Sequence, residues 1–365
     1  MLLNEVAEQY NKTYGENTCV PGTQILPHID RLPTGIFSLD FALCGGLPMN
    51  QMVCFRGPES GGKTSTAIST AANAARMCWR CMKIECECSQ PPLHMKTLWL
   101  DVEGSFDKQW ATDLGLDEES YVIATAEDLE QYVDIATAAI RAEDVGLIVV
   151  DSVAALVPSK IMEGSSYSNY MGVNPRAVKD FVRRLNPVLI REGFKGHPVV
   201  VILTNQVMFL VGELFKNPES MPGGEALKHF TSLWVRFSKK ALTDSEKKQR
   251  DESRKVSLVQ RHSFTVERQK VTILAGGGEF VRCKEPIRDE EGNIEFSRGE
   301  LLEYTTVIKQ AKTYNLLLPE GAKWRIGSTV GTQKEIKEFW RANPGAYLTA
   351  QREIIEKAKL EIFHA

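Results

Sequence analysis

The run Gly57-Pro58-Glu59-Ser60-Gly61-Gly62-Lys63-Thr64 has the spacing G-x4-G-K-[ST], and its chemistry is that of a phosphate cradle. Glycines let successive backbone N–H groups turn inward around an anion. A helix that starts at the last glycine adds the partial positive charge of its N-terminus. Lys63 would reach the β- and γ-phosphates of a nucleotide, the Thr64 hydroxyl would hold Mg²⁺, and Ser65 belongs to the same binding turn. A glycine-rich turn without a ligand is the bland alternative. The octet, however, directly follows a strand-like run and directly precedes a helical one, the context a phosphate loop requires.

Other polar residues sit where open α/β sheets gather their ligands, at the ends of apolar runs. Asp151 closes Leu147-Ile148-Val149-Val150, a place for a carboxylate that orders Mg²⁺ through water; its competing role is a helix N-cap. Glu103 stands two residues past a run ending at Asp101, from which a carboxylate can orient or deprotonate an attacking water. Gln206 follows Asn205 at the end of a further run and can sense a terminal phosphate by hydrogen bonding. Read singly, Glu103 and Gln206 are also ordinary loop residues.

A second chemistry lies in the spacing Cys78-x2-Cys81-x4-Cys86-x-Cys88, with His94 beyond. In a reducing compartment this density favours a thiolate metal site over disulfides. Four thiolates would satisfy tetrahedral Zn²⁺ in a closed, structural shell. The tight Cys86-x-Cys88 pair leaves His94 open as a substitute ligand; loose surface cysteines and a redox role are the other readings. Cys19, Cys44, Cys54 and Cys283 are scattered and read as packing residues.

The elements that must position these groups can be read from periodicity. Short apolar, β-branched runs at 52–56, 97–101, 146–151 and 198–204 predict strands covered on both faces. Helical patterns at 64–77, 129–142 and 175–191 fall between them. The alternation predicts a doubly wound, mainly parallel α/β sheet. Before it, Leu3, Val6, Ala7 and Tyr10 mark a short amphipathic helix. After Arg261, turn signals at Gly276-Gly277-Gly278 and Glu291-Gly292-Asn293 predict hairpins, and from Gly299 the chain turns helical and charged. The expected organisation is an N-terminal helix and linker at 1–31, a phosphate-loop core at 32–297 with the cysteine insert at 78–94, and a small α/β unit at 298–365.

The chain has 365 residues, 43% hydrophobic and 25% charged, with a net charge of −3. This composition excludes collagen-like, disordered and disulfide-scaffold classes, and the length suggests two or three units. No uncharged apolar stretch is long enough to span a membrane; the best candidate, 145–157, is interrupted by Asp151. Glu5 and Glu8 stand where a signal peptide would be basic and then apolar. A soluble, cytoplasmic protein is expected. The mild acidity hides local polarity, with seven Lys/Arg against three Asp/Glu over 158–195 and ten against five over 239–270. Any nucleic-acid contact should be confined to such segments, although basic stretches also serve as plain solvated surface.

Ordered along the chain, several phrases resemble the RecA recombinase family. They are Leu32-Pro33-Thr34-Gly35-Ile36-Phe37-Ser38-Leu39-Asp40, Gly45-Gly46-Leu47-Pro48, the Pro58-Glu59-Ser60 form of the phosphate loop, Val149-Val150-Asp151-Ser152-Val153-Ala154-Ala155-Leu156, Asn205-Gln206 and Gly223-Gly224-Glu225-Ala226-Leu227-Lys228. The likeness runs from about residue 32 to the C-terminus and is weakest before Leu32 and between Arg282 and Gly299. It implies a RecA-like P-loop core that binds ATP and Mg²⁺, with Glu103 as catalytic carboxylate and Gln206 coupling the γ-phosphate to DNA. Trp110 would lie against adenine, with Asp107 near the base edge; ordinary core packing is the other role for Trp110. Residues 158–176 match the first DNA-binding loop, with Met171, Gly172 and Arg176 on its positions, and Lys179 and Arg183 continue that basic surface. Residues 207–222 match the second loop, which leads into Gly223 and Gly224. Arg268 and Lys270 would reach across a subunit interface to a neighbour's γ-phosphate.

The implied partners are single-stranded DNA, a homologous duplex and further copies of the chain in a helical filament. Met208 and Leu210 replace basic residues common in the second loop, Glu225 replaces a neutral amide, and His229 replaces an aromatic that transmits subunit contacts. Two alternatives stand beside a strand-exchange ATPase, the first motivated by these departures and the second by a shared phosphate loop and trans-acting cations. One is an ATP switch that binds DNA without productive exchange; the other is a hexameric helicase-like motor.

Overall fold

The computed structural model describes residues 2–16, 18–22, 30–159, 175–209, 219–220, 224–251 and 254–363. The near-continuous apolar runs form the middle of one eight-stranded sheet. Its strands are β1 (Met52–Gly57), β2 (Lys96–Asp101), β3 (Tyr121–Ala124), β4 (Val145–Asp151), β5 (Val200–Gln206), β6 (Thr231–Lys240), β7 (Val259–Gln269) and β8 (Gly277–Cys283). They lie in the order β8-β7-β6-β1-β5-β4-β2-β3. Pairing is parallel from β6 across to β3, whereas β7 runs antiparallel to both its neighbours.

The described helices longer than one turn are α1 (Leu3–Tyr14), α2 (Phe37–Ala42), α3 (Lys63–Ala74), α4 (Lys108–Asp113), α5 (Leu129–Ile140), α6 (Pro175–Phe194), α7 (Gly224–Phe230), α8 (Tyr304–Thr313), α9 (Gln333–Ala342) and α10 (Pro344–Phe363). Val53, Phe55, Leu147, Val149 and Ile202 pack on one side with Ala67, Ile68 and Ala71 of α3. Cys54, Ile148, Val150, Val201 and Leu203 pack on the other with Val133 and Ala136 of α5 and Phe181 and Leu185 of α6. Burial on both faces is why these strands read as unbroken apolar runs. The mainly parallel α/β core expected from the alternation is what forms.

Two departures have local causes. β3 escapes a periodicity reading because it is a short edge strand, with Val122 60% and Ile123 40% exposed. The triple glycine is only partly a turn, since Gly277 and Gly278 already belong to β8 opposite Thr265 and Phe264. The second expected hairpin forms between Ile287–Arg288 and Ile294–Phe296, closed by the Asp289 carboxylate, which accepts the Glu291 and Asn293 N–H groups.

Toward the C-terminus a three-stranded sheet (Leu318–Glu320, Lys323–Ile326, Thr329–Gly331) accompanies α8, α9 and α10. Val307, Ile308, Ile336, Trp340 and Ile354 form a separate apolar cluster that takes in Phe37 and Phe41 of α2. The joint is polar and buried. Glu303 accepts the Phe37 N–H at 2.8 Å, the Ser38 N–H at 2.9 Å and the Ser38 hydroxyl, satisfying donors exposed at the start of α2. At the other end of the chain α1 buries no residue, and Arg191 holds it by donating to the Tyr14 carbonyl at 2.8 Å. No described helix is long and apolar enough to cross a membrane.

Removing the Glu303 carboxylate should be costly, because it strands three buried donors at once. We expect Glu303→Ala to lower unfolding free energy by about 3–5 kcal/mol, read from the urea midpoint. A loss below about 1 kcal/mol would show that water replaces the carboxylate at this joint.

Candidate nucleotide site

β1 lies in the middle of the sheet and ends at Gly57, so the chain must leave between two strands. A Cβ on Gly57 would come 2.1 Å from the Phe237 carbonyl oxygen of β6, and its φ is +146°. Only glycine passes there. The loop then turns through Ser60 at φ +57° and Gly62 at φ +106° into α3. Lys63 is buried, and its amine donates to the carbonyls of Gly57 at 3.0 Å and Pro58 at 2.8 Å. Burial pulls its pKa below the usual lysine value, while Asp151, Glu103 and Glu59 pull it back up.

The parallel register delivers the other polar groups to the same edge. Gly57 pairs with Gln206, and Asp101 pairs with Asp151. Asp151 accepts the Thr64 hydroxyl at 2.8 Å and also the Thr204 hydroxyl. Burial raises the Asp151 pKa; the two hydroxyls and Lys63 oppose this, and the nearby Glu103 reinforces it. Two carboxylates beside a hydroxyl offer oxygen ligands and negative charge that a hard divalent cation would neutralise, so Thr64 and Asp151 fit Mg²⁺. Glu103 accepts the Ser152 hydroxyl, and its N–H donates to the Asp151 carbonyl at 3.3 Å. The structure therefore brings Lys63, Thr64, Asp151, Glu103 and Gln206 to one end of the sheet.

A cleft of about 320 Å³ opens beside the loop, lined by residues 60–65 together with Asp107, Trp110, Gln260, His262, Arg282, Lys284 and Arg298. Asp107 caps α4 by accepting the Trp110 N–H at 2.9 Å. The Trp110 indole donates to Ser65 Oγ at 3.0 Å, and the Arg298 guanidinium lies 5.1 Å from its ring centre. Arg298 is itself held by Asp113 at 2.6 Å and the Lys284 carbonyl at 3.1 Å. The expected Asp107 and Trp110 thus share the cleft with the phosphate loop. The opposite wall, built from β7, β8 and the hairpin beyond, carries no local sequence signal. His262 donates through Nδ1 to the Gly61 carbonyl at 2.8 Å, and Gln260 donates to the Ser60 carbonyl at 3.3 Å. Thr204 and Ser152 did have a signal: each adjoins a residue singled out above.

Arg268 and Lys270 lie elsewhere. Antiparallel pairing sets Arg268 opposite Trp234 and Gln269 opposite Leu233, and those residues pair with Cys54 and Val53 of β1. That is about 10–13 Å along the sheet from Gly57, and two strands to the side. Lys270 is tied to that far end by its N–H to the Ser232 carbonyl at 2.7 Å and its amine to the His229 carbonyl at 2.6 Å. Neither cation reaches the phosphate loop of its own chain. Arg176, Lys179 and Arg183 are exposed on α6, and Gly224 begins α7. Met171, Gly172, Leu210 and Gly223 lie outside the described residues.

Far from the cleft, Cys78, Cys81, Cys86 and Cys88 gather so that their sulfurs all lie within 4.8 Å of one another. His94 is exposed and pairs with Cys78 only through the backbone.

A strand, a glycine-rich turn and a helix that present a buried lysine to converging strand ends define an α/β nucleotide-binding protein of the P-loop class. The family model of the RecA N-terminal domain matches residues 1–278, and the chain belongs to the RecA family. It is 28% identical to Protein RecA of Clostridium perfringens over 361 residues, 98% of this chain and 91% of that protein. Protein RecA of Acidothermus cellulolyticus is 27% identical over 97% of this chain and 92% of its own length. A mitochondrial DNA repair protein recA homolog of Dictyostelium discoideum is 32% identical over 65% of this chain and 48% of its own length.

His262 offers a pH test of the loop. Burial holds its pKa below the ordinary 6.5; the bond to Gly61 opposes this, and Arg282 and Lys239 add to it. A histidine depressed on folding stabilises the fold fully above the unfolded value, and that stability is lost as pH falls through the folded value. Cooling of the melting temperature between about pH 7.5 and about pH 5.5 should therefore be smaller in His262→Asn than in the native protein. Equal pH slopes would remove His262 from the linkage.

Proposed function

We propose that the chain is an ATP-dependent DNA-recombination protein. It binds ATP with Mg²⁺, polymerises on single-stranded DNA, pairs that strand with a homologous duplex, and hydrolyses ATP faster when DNA is bound. Lys63 and the loop amides of residues 59–62 hold the phosphates, and Thr64 and Asp151 hold Mg²⁺, which supplies charge neutralisation at the β- and γ-phosphates. Trp110 and Asp107 flank the base, with Ser65 fixing the indole. Glu103 takes the proton of the attacking water or orients it. Gln206, next to Gly57 in the sheet, reports the terminal phosphate to the segment that follows β5. DNA is bound by Met171, Gly172, Arg176, Lys179, Arg183, Gly223 and Gly224, chiefly through the backbone, so binding weakens with salt.

The observation that carries this reading is the separation of Arg268 and Lys270 from the loop of their own chain. Cations that stabilise transition-state charge must lie against it; here they can do so only for a second copy. Nucleotide then joins subunits, and hydrolysis loosens them. The exposed apolar residues of α1, Leu3 at 82% and Tyr14 at 62%, suit residues 1–31 as a further subunit contact. The ATPase core then spans 32–297, and 298–365 forms the small C-terminal unit, joined to the core by an apolar cluster that includes Phe37 and Phe41.

The decisive measurement is ATP hydrolysis with and without single-stranded DNA at low salt. DNA should stimulate the native chain, and Glu103→Gln should abolish the stimulated rate by about 10²-fold or more. Hydrolysis indifferent to DNA would favour the switch that binds without exchange, and closed six-membered rings in electron micrographs would favour the motor. The trans assignment has its own test. Lys63→Ala and Lys270→Ala should each be inactive alone, while a mixture of the two recovers DNA-stimulated hydrolysis. A mixture as inactive as its parts would place Lys270 outside the neighbour's site.

A further inference from the structure

The segment between α3 and β2 has no core of its own. From Trp79 to His94 no residue is fully buried, and no helix or extended strand forms there. Sixteen residues without a core need a staple to hold one shape. The base of the segment is closed by Met95 N–H to the Met77 carbonyl at 3.0 Å and Trp79 N–H to the Leu93 carbonyl at 2.7 Å. Inside it, Cys78 N–H donates to the Lys83 carbonyl at 2.8 Å and Met82 N–H to the Cys78 carbonyl at 2.8 Å. This tight turn, with Met82 at φ +58°, aims Cys78 and Cys81 at Cys86 and Cys88.

The spacing of the sulfurs discriminates between chemistries. Cys78 and Cys88 sulfurs are 4.0 Å apart, and Cys81 and Cys86 sulfurs are 3.9 Å apart. A disulfide needs about 2.05 Å. Four sulfurs at about 2.3 Å from one zinc ion stand about 3.8 Å from each other at the corners of a tetrahedron. Cys88 N–H points at the Cys86 sulfur at 3.4 Å, the kind of backbone donor that supports a metal-bound thiolate. Soft sulfur ligands without an oxygen or open position suit Zn²⁺ and exclude Mg²⁺ or Ca²⁺.

Trp79, Met82 and Ile84 pack against the apolar cluster on one face of the sheet, and Trp79 also makes polar and ring contacts there. The Trp79 indole donates to the Val145 carbonyl at the start of β4, at 3.0 Å. Its ring meets the His197 ring edge-on, 5.3 Å between centres, just before β5. The segment thus lies at the amino ends of the strands, with the sheet between it and the nucleotide cleft. It joins the end of α3, which begins with Lys63 and Thr64, to β2, which leads to Glu103. We propose that Cys78, Cys81, Cys86 and Cys88 bind one structural Zn²⁺, and that the ion locks Trp79 onto β4 and so braces the connection between the phosphate-loop helix and the strand leading to the catalytic carboxylate. The proposal stands on the sulfur geometry and does not depend on the nucleotide reading.

The test uses the full chain purified under reducing conditions without chelator. Metal analysis should find one zinc ion per chain, falling to background in Cys81→Ala and Cys88→Ser. Replacement by Co²⁺ should give the absorption of a tetrahedral four-sulfur site. Zinc removal with a thiol-reactive mercurial, followed by restoration of the thiols, should change tryptophan fluorescence and speed protease cleavage within 78–94 at least about tenfold. Trp79→Phe should keep its zinc but lose the fluorescence change. Free, fully alkylatable thiols with no bound metal, bound iron, or Cys78–Cys88 and Cys81–Cys86 disulfides would overturn the zinc site. An undiminished fluorescence change in Trp79→Phe would overturn the brace. None of these outcomes reads ATP hydrolysis, so failure here is distinguishable from failure of the recombination reading.

Discussion

The close passage of Gly57 over the Phe237 carbonyl sets the terms for the rest of the molecule. β1 is flanked by β6 and β5, so its continuation has no lateral exit, and the missing side chain lets the loop rise between its neighbours. Once it does, Lys63 folds back onto the Gly57 and Pro58 carbonyls, and α3 starts with its N–H groups facing the loop. Because the neighbouring strands are parallel, their carboxyl ends arrive at the same level. Asp151, Thr204, Gln206 and Glu103 therefore meet although they come from the ends of three strands far apart in sequence, β4, β5 and β2.

The same sheet that gathers these groups keeps others apart. β7 returns antiparallel, so the end that bears Arg268 is level with the early residues of β1 rather than with Gly57. The sheet acts as a spacer between the acidic, hydroxyl-rich half of the site and the cations. Glu267, next to Arg268, pairs with Arg236 on the adjacent β6 and with Arg56 on β1 beyond it. On the proposed reading, hydrolysis is controlled by assembly because the fold itself withholds the last charges.

The legibility of the fold in the sequence follows from where each signal is stored. The central strands and their helices are written locally, since strands buried on both faces must be apolar throughout. The phosphate loop is local as well, because its glycines are demanded by its own backbone. β3 is not, being short, edge-exposed and without alternation. The cleft wall of Gln260, His262, Arg282, Lys284 and Arg298 is the clearest omission. Its residues are about 200 positions from the loop they face, and the stretch 282–299 is also where the family resemblance is weakest. The cysteines were legible as a cluster because their spacing is local, while the gathering of the four sulfurs without His94 needed the turn at Met82. Residues around Met171 and Gly223 were readable only through the resemblance.

That distant wall is also the reason the cleft can be rigid. Arg282 is fully buried, and desolvation pulls its pKa down to about 10 against the opposing pull of Glu303. It stays charged at neutral pH, so it must keep acceptors wherever it goes. It finds them in the Gly299 carbonyl at 2.9 Å and in Ser69 Oγ of α3 at 2.9 Å. Glu303, buried and raised in pKa by that burial, is held in turn by Phe37 and Ser38. A displacement of α3 against β8 or α2 would strand one of these groups without a partner, at a cost of several kcal/mol. Side-chain hydrogen bonds that look like packing detail thus tie α3, the helix that follows the glycine-rich loop, to the wall that faces it.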